Sequence, residues 1–122
     1  MYITNLQKTK PAKNLATDQV PVAVRWLLGE PEGAPNFELR YLSFPVSAST
    51  VYHEHPWEHE VFVVKGKGKI KTAQGEIVVQ ANDAILLLPN ESHQLINNSL
   101  EENFDIICVV PKGTRSFSCQ CG

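Results

Sequence analysis

The sequence predicts an all-β fold, built as one domain in the form of a sandwich or a barrel. About nine short segments rich in β-branched and aromatic residues follow one another along the chain. Clusters of turn-forming residues such as "GEPEGAPN", "KGKGK" and "PNES" separate them. No stretch keeps a helical period over three turns. Many short strands at close spacing are typical of sandwiches and barrels.

The chain begins with a polar, lysine-rich stretch, residues 1–19, which we predict to be an N-terminal arm or a short edge strand. A β domain is predicted over residues 20–113 and a free C-terminal tail over residues 114–122. Several strands are apolar on both faces, as expected where one face lines an interior and the other packs on a neighbour. The predicted strands are 20–28, 36–44, 50–55, 60–64, 69–73, 76–80, 84–88, 93–97 and 103–110.

Composition limits the kinds of partner that we expect. The net charge of −2 argues against binding to nucleic acid or to an anionic membrane surface. The N-terminal stretch lacks the apolar segment of a secretory signal, and the longest apolar runs are far too short to cross a bilayer. The three cysteines are odd in number and do not form a disulfide framework. We therefore expect a cytoplasmic protein.

The four histidines all lie at the starts or ends of predicted strands. His53 and His55 are two residues apart, so in a strand their side chains point to the same face. His59 follows after a Pro-Trp-Glu insert, and His93 opens a distant strand. Imidazole nitrogens are common ligands of divalent transition metals. This clustering in an all-β chain predicts a metal site.

Two stretches resemble the sequence motifs of the cupins. The stretch "HEHPWEHEVFVVKGKG" resembles the first cupin motif, in which His53 and His55 match the paired histidines. The stretch "NDAILLLPNESHQLIN" resembles the second, in which His93 and Asn97 match the conserved end. The resemblance implies a double-stranded β-helix, the jelly-roll barrel of the cupins, over residues 20–113.

The sequence also departs from these motifs. Ser47 stands where the first motif has its glycine, Asn82 and Asn90 replace the two glycines of the second motif, and Leu88 replaces its proline. Asparagine adopts the left-handed backbone conformation more readily than most other non-glycine residues. The turns that the motif glycines make are therefore expected to form here as well.

A closer resemblance, carried by "VRWLLGEPEGAPNFELR", "PNESH" and "VVPKG", is to small single-domain manganese cupins with an all-histidine site. It implies a divalent ion, manganese in the first place, with iron, nickel, copper or zinc as alternatives that imidazole ligands also suit. It further implies a homodimer paired through N-terminal or edge strands. The metal ligands that it implies are His53, His55, His59 and His93.

The residues themselves leave the third ligand open between His59 and Glu60. Neighbouring residues of a strand point to opposite faces, and both faces of "HEVFVV" are apolar beyond the first position. A bulge would allow both side chains to reach the ion. Only five residues separate Glu60 from Gly66, one fewer than in the motif, and this spacing together with the resemblance favours His59. Four neutral imidazoles would leave the ion its full charge, which favours an anionic ligand.

Other side chains near the histidines have two interpretations each. Glu58 and Glu60 are candidate catalytic acids, as a general base or as hydrogen-bond acceptors for the histidines, or they are solvated turn residues. Trp57 either caps the mouth of the site or packs beneath the turn. Arg40 anchors an anionic substrate if its face is interior, and otherwise lies on the outside in an ion pair.

The remaining pocket candidates lie in the last predicted strand. Ile106 and Cys108 share a face there, and Cys108 either lines the pocket or is a small buried apolar residue. Cys119 and Cys121 lie in the tail, where a free, disordered segment is the simpler interpretation and a soft-metal site is the alternative.

The histidine cluster predicts a metal-dependent protein, and the cupin resemblance implies an enzyme of the oxygenase type, with a dioxygenase-like reaction on a small, anionic molecule. Four protein ligands leave an octahedral ion two positions for substrate and dioxygen, whereas a tetrahedral zinc site would leave none. Because cupin folds carry many functions, two alternatives stay open. One is a non-catalytic metal and ligand-binding module, such as a sensor or storage protein, and the other is an isomerase or lyase reaction.

Overall fold

The structure is a computed structural model that describes residues 1–13 and 20–114. The described residues form strands and two 3-10 turns, Leu6–Lys8 and Glu30–Glu32, and neither turn is long enough to cross a membrane. The all-β prediction is confirmed. The strands are β1 (Ala12–Lys13), β2 (Ala23–Leu28), β3 (Phe37–Phe44), β4 (His59–Lys65), β5 (Lys67–Thr72), β6 (Gly75–Gln80), β7 (Ala84–Leu87), β8 (His93–Asn97) and β9 (Phe104–Pro111).

The strands form two antiparallel sheets. One sheet has the order β1-β2-β3-β9-β4-β7, and the other has the order β6-β5-β8. From β4 onward the chain leaves the first sheet for β5 and β6, returns for β7, leaves again for β8 and ends in β9, as in a jelly roll. Apolar side chains from both sheets form the core, among them Val24, Leu42, Phe44, Val63, Ile70, Leu95, Phe104 and Ile106.

The strand predicted over residues 50–55 does not form as a continuous strand. This segment runs beside β8 but makes isolated bridges to it only at Ser49 and His53. Between them the hydroxyl of Thr50 accepts a backbone N–H of β8 at 3.0 Å, so a side chain replaces a carbonyl of the ladder. Pro56 follows directly and has no N–H to continue the pairing. The other predicted strands each overlap an observed one.

Three turns have left-handed backbone at non-glycine residues. Among the described residues these are Ser47, Asn82 and Asn90, with φ angles of 72°, 77° and 62°. They are the positions at which the sequence departs from the motif glycines, and short polar side chains tolerate this conformation. The turn between β4 and β5 differs, because a Cβ on Gly66 would lie 2.2 Å from the carbonyl oxygen of Asn103. Only glycine fits at that position.

Asn97 ends β8 and fastens it to the first sheet. Its buried amide nitrogen donates to the carbonyls of Phe44 at 2.9 Å and Glu102 at 3.0 Å. Its side-chain oxygen accepts the N–H of Ser99 at 2.7 Å. Because all three partners are backbone groups, Asn97 holds the loop before β9 in place, and with it the strand that lies beside the histidines.

Candidate metal centre

The structure brings three of the histidines together into one group. His53, His55 and His93 each offer a ring nitrogen, and these nitrogens lie within 4.8 Å of one another. The bridge between the backbones of His53 and His93, with N···O distances of 3.1 and 2.8 Å, brings their side chains to adjacent positions. The Nε2 atoms of His53 and His55 face each other at 2.7 Å. Such a group can hold a divalent metal ion.

Backbone carbonyls orient two of these rings. Nδ1 of His93 lies 2.8 Å from the carbonyl oxygen of Glu91, and Nδ1 of His53 contacts the carbonyl oxygen of Val51. A carbonyl only accepts, so Nδ1 carries the proton in both rings and donates it. The lone pair of each neutral ring is then on Nε2, as a metal ligand requires.

His59 reaches the same region from β4. Its ring centroid lies 5.2 Å from that of His55 and 5.1 Å from that of His93. The side chain is 1% exposed, and its Nε2 has no hydrogen-bond partner among the described residues. A buried polar atom without a partner is costly and rare in proteins. A cation bound by the histidines would satisfy it, so the donor set fits a divalent metal.

The strand β4 alternates regularly at the disputed position. His59 is buried, whereas Glu60 is exposed. The irregularity of this strand lies between Val63 and Lys65, at the opposite end from His59. The two side chains therefore point to opposite faces of the sheet, and the structure brings His59, but not Glu60, to the histidine group.

The environment keeps His53, His55 and His59 neutral. Burial lowers the pKa of His53, and burial together with the neighbouring histidines and Arg40 lowers the pKa of His55 to about 4. The pKa of His59 is lowered further, first by burial and then by the guanidinium of Arg40 and the other histidines. Neutral rings are the form that binds a metal, and they leave a divalent ion its full positive charge.

Arg40 faces the interior. It lies on β3 with 1% of its side chain exposed, and its Nη2 is 3.0 Å from Sγ of Cys108 and 3.5 Å from Nδ1 of His59. Its guanidinium also lies over the ring of Trp26, 5.2 Å from the centroid. Nothing in the sequence indicates that Trp26 lies near the site, because it is the register of β2 against β3 that pairs it with Arg40.

The other pocket candidates also lie close to the histidines or face the interior. The ring of Trp57 stacks on that of His55, with the centroids 4.4 Å apart and the planes 6° from parallel. Ile106 and Cys108 are fully buried on the inner face of β9. The structure thus places Trp57 against a ligand candidate and Cys108 beside another.

Residues 40–110 match the family model of the cupin domain, which is more than half of the chain. The chain belongs to the cupin family. The predicted cupin barrel is confirmed, both by this match and by the strand topology.

Several solved structures share the fold of this cupin. The polyketide cyclase RemF from Streptomyces resistomycificus is 24% identical with a TM-score of 0.80, over 91% of this chain and 79% of RemF. A predicted oxalate decarboxylase from Thermotoga maritima is 18% identical with a TM-score of 0.78, over 91% and 99%. A sugar phosphate isomerase from Silicibacter pomeroyi is 14% identical with a TM-score of 0.77, over 93% and 77%. Among curated proteins, none matches the sequence.

The acidic candidates of this cupin lie apart from the histidine group. Glu58 and Glu60 are both exposed, and they line a surface cavity of about 150 Å³ together with Phe37 and the end of β9. The structure does not bring either carboxylate to the histidines. Cys119 and Cys121 lie outside the described residues.

Proposed function

We propose that this cupin is a metal-dependent enzyme of the oxygenase type that acts on a small, anionic organic molecule. A mononuclear divalent ion would be held by His53, His55, His59 and His93. The observation that carries the proposal is the grouping of His53, His55 and His93, with the ring centroid of His59 5.2 Å from that of His55 and 5.1 Å from that of His93. The buried Nε2 of His59 has no hydrogen-bond partner among the described residues.

The donor set is consistent with manganese, our first choice, and with iron, nickel, copper or zinc. When bound, the ion would act as a Lewis acid toward a substrate oxygen or toward dioxygen. The histidines of this chain supply lone pairs and no charge. The carbonyls that hold Nδ1 of His53 and His93 would keep both rings aimed at the ion.

The substrate class follows from charge. Arg40 is a buried cation beside His59, and a divalent ion would add two further positive charges close by. Buried positive charge is stabilised by an anion, which favours a carboxylate or an enolate as the ligand. Trp57, stacked on His55, offers an aromatic surface to such a molecule. The buried side chains of Ile106 and Cys108 complete the proposed lining.

A non-oxidative reaction at the same centre is the second candidate. The structural neighbours named as a cyclase, a decarboxylase and an isomerase favour it, since these reactions need no dioxygen. The third candidate is a binding module without a reaction. All three share the metal ion and the anionic ligand, so they differ only in turnover.

The test begins with metal content. Protein loaded separately with manganese, iron or zinc is expected to retain one ion per chain, and His93→Ala is expected to retain much less. Glu54→Gln is the matched control, because Glu54 lies between two of the histidines but is exposed. If the wild-type protein retains no ion after desalting, the metal proposal fails.

Turnover then separates the three candidates. The loaded protein is incubated with a panel of small 2-oxo acids, β-diketones and hydroxy acids, while an oxygen electrode records dioxygen and NMR records the organic molecule. The oxygenase proposal predicts consumption of both in equal amounts. Conversion under argon would establish the non-oxidative candidate instead. Ligand binding without conversion in either condition would establish the binding module.

We further propose that the protein forms a homodimer through the outer face of β4, β7 and β9. This face has a surface cavity of about 420 Å³ lined largely by apolar residues, with Phe62 and Leu86 exposed within it. It includes β7, an edge strand of the larger sheet. An exposed apolar surface of this kind is typical of an interaction site.

Charge complementarity favours a second copy as the occupant. Glu60 lies toward one end of β4 on this face, Phe62 lies near the centre, and Lys65 lies exposed at the other end. A two-fold axis in the interface that crosses β4 at Phe62 would reverse the strand. It would therefore bring Glu60 of each copy toward Lys65 of the other, as a self-complementary interface requires.

A further inference from the structure

Three of the four histidines differ in what holds Nδ1. In His53 and His93 a backbone carbonyl accepts the Nδ1 proton, which leaves Nε2 free to bind a metal. In His59 the polar neighbours of Nδ1 among the described residues are Sγ of Cys108 at 3.4 Å and Nη2 of Arg40 at 3.5 Å. His59 therefore depends on side chains for an orientation that the backbone supplies to the other two.

Only one of these two neighbours can select the tautomer that binds a metal. A guanidinium donates and never accepts, so a bond from Arg40 to Nδ1 would require a lone pair there and would move the ring proton to Nε2. A ring protonated on Nε2 cannot bind a metal through that atom. Sulfur can accept, so a bond from Nδ1–H of His59 to Cys108 leaves the lone pair on Nε2.

The register of the sheet brings these groups together. Cys108 on β9 pairs directly with Arg40 on β3 and with Val61 on β4. His59 precedes Val61 by two residues and lies on the same inner face. The sulfur thus contacts both the arginine and the histidine. Nη2 of Arg40 approaches it to 3.0 Å, closer than the 3.5 Å at which it approaches Nδ1 of His59.

We propose that Cys108 is a positioning residue for the metal centre. Its sulfur accepts hydrogen bonds from Nδ1 of His59 and from Nη2 of Arg40. The first bond fixes the tautomer of His59 that directs a lone pair toward the other histidines. The second engages the donor of Arg40 at the shorter distance, so that the sulfur competes with Nδ1 for a donor that would impose the wrong tautomer. This proposal rests on the proposed four-histidine site.

The decisive measurement is the tautomer of His59 in metal-free protein at pH 7. Long-range ¹H–¹⁵N correlation spectra of protein labelled with ¹⁵N-histidine distinguish Nδ1–H from Nε2–H, and His59→Gln assigns the signals. The wild-type protein is expected to have the proton on Nδ1. If His59 in the wild-type protein has the proton on Nε2, the proposal is overturned without any variant being needed.

Three substitutions at Cys108 extend the measurement. Cys108→Ala and Cys108→Val remove the acceptor, the latter while retaining the volume, and both are expected to move the His59 proton to Nε2. They should weaken zinc and manganese binding roughly 10- to 100-fold, the usual effect of losing a residue that hydrogen-bonds to a metal ligand. Cys108→Ser retains an acceptor of similar size and is expected to keep the Nδ1–H tautomer and most of the affinity.

The outcome is separable from that of the proposed metal site. If the wild-type protein binds no metal but the Cys108 variants show the expected tautomer changes, the hydrogen-bond role of Cys108 stands and the metal site fails. If wild-type protein binds metal and Cys108→Val leaves both the tautomer and the affinity unchanged, the role of Cys108 is refuted and the metal site stands. A merely structural role for Cys108 would change the thermal stability and leave the tautomer of His59 as it is.

Discussion

The two faces of β4 have nearly the same hydrophobicity in the sequence and opposite surroundings in the structure. On the inner face, His59 is 1% exposed, Val61 3% and Val63 0%. On the outer face, Phe62 is 43% exposed and Val64 37%. A shift of one residue therefore separates the proposed metal centre from the proposed dimer surface. The comparison teaches that the neighbours of a strand, and not its own residues, decide which face is used for chemistry.

The largest expected difference between the faces is in metal affinity. His59→Ala removes a proposed ligand and should weaken metal binding more than roughly 100-fold. Loss of a residue that only hydrogen-bonds to a ligand already weakens binding by about 10- to 100-fold. Glu60→Ala changes an exposed side chain on the outer face and should leave the affinity within about threefold. Competition with a chelator of known affinity measures both. A loss of binding in Glu60→Ala alone would reverse the assignment of the third ligand.

The second expected difference is in stability. Val63→Ala removes two methyl groups from a fully buried side chain and should lower the free energy of unfolding by about 2 kcal/mol. Val64→Ala makes the same change on the outer face and should cost less than about 0.5 kcal/mol. Urea unfolding of metal-free protein, at concentrations below the dimer dissociation constant, tests the pair. Equal losses would mean that Val64 is covered in solution as fully as Val63.

The third difference concerns association. Phe62→Lys introduces a charge at the centre of the outer face and should raise the dimer dissociation constant at least about tenfold, as expected for a buried aromatic contact. Sedimentation equilibrium over a range of concentrations measures it. Leu100→Lys is the control, because Leu100 is 90% exposed in the loop before β9 and does not line the cavity on this face. A wild-type protein that is monomeric at every concentration would refute the interface.

The smallest expected effect is the pH dependence that His59 adds to the stability of the metal-free protein. Burial keeps the folded-state pKa of His59 well below its ordinary value of 6.5, with Arg40 on β3 and the other histidines acting in the same direction. Below pH 6.5 the unfolded chain therefore binds a proton that the folded chain does not, and stability falls as the pH falls.

The measurement compares wild-type protein with His59→Gln in urea at pH 7.5 and 6.0. The wild-type protein should lose about 1 kcal/mol more than the variant over this range, because glutamine binds no proton. His53 and His55 remain in both proteins, so their contribution cancels. An identical pH dependence would show that His59 is accessible to protons in the folded state.

Much of the fold could be predicted from residue order alone. Local composition and turn residues are sufficient to find strands, and each predicted strand except 50–55 overlaps an observed one. The prediction for residues 50–55 was wrong because the hydroxyl of Thr50 and the missing N–H of Pro56 interrupt the backbone pairing with β8. The pattern of apolar and polar side chains does not show such an interruption. The left-handed turns at Asn82 and Asn90 were predictable, since backbone preference is a property of a residue and its motif position.

The site could be predicted in its members but not in its arrangement. Spacing identified the histidines, whereas the facing of Arg40 stayed open in the sequence. In β3 the charged residues Glu38 and Arg40 point inward and the aromatic Phe37 points outward, the reverse of what hydrophobicity alone favours. This arrangement is stable because each buried charge has a partner: the hydroxyl of Thr114 donates to Glu38 at 2.9 Å, and Cys108 accepts from Arg40.

The sequence by itself therefore determined the strands, the turns, the family motifs and the histidines, because these depend on short-range preference and spacing. Only the tertiary structure decided that His59 and not Glu60 faces the other histidines, that Arg40 is interior, and that Cys108 lies beside His59. The physical reason is that the inner face of β4 is the one that packs in the core formed by side chains of both sheets. These contacts join residues far apart in the chain, and no local pattern contains them.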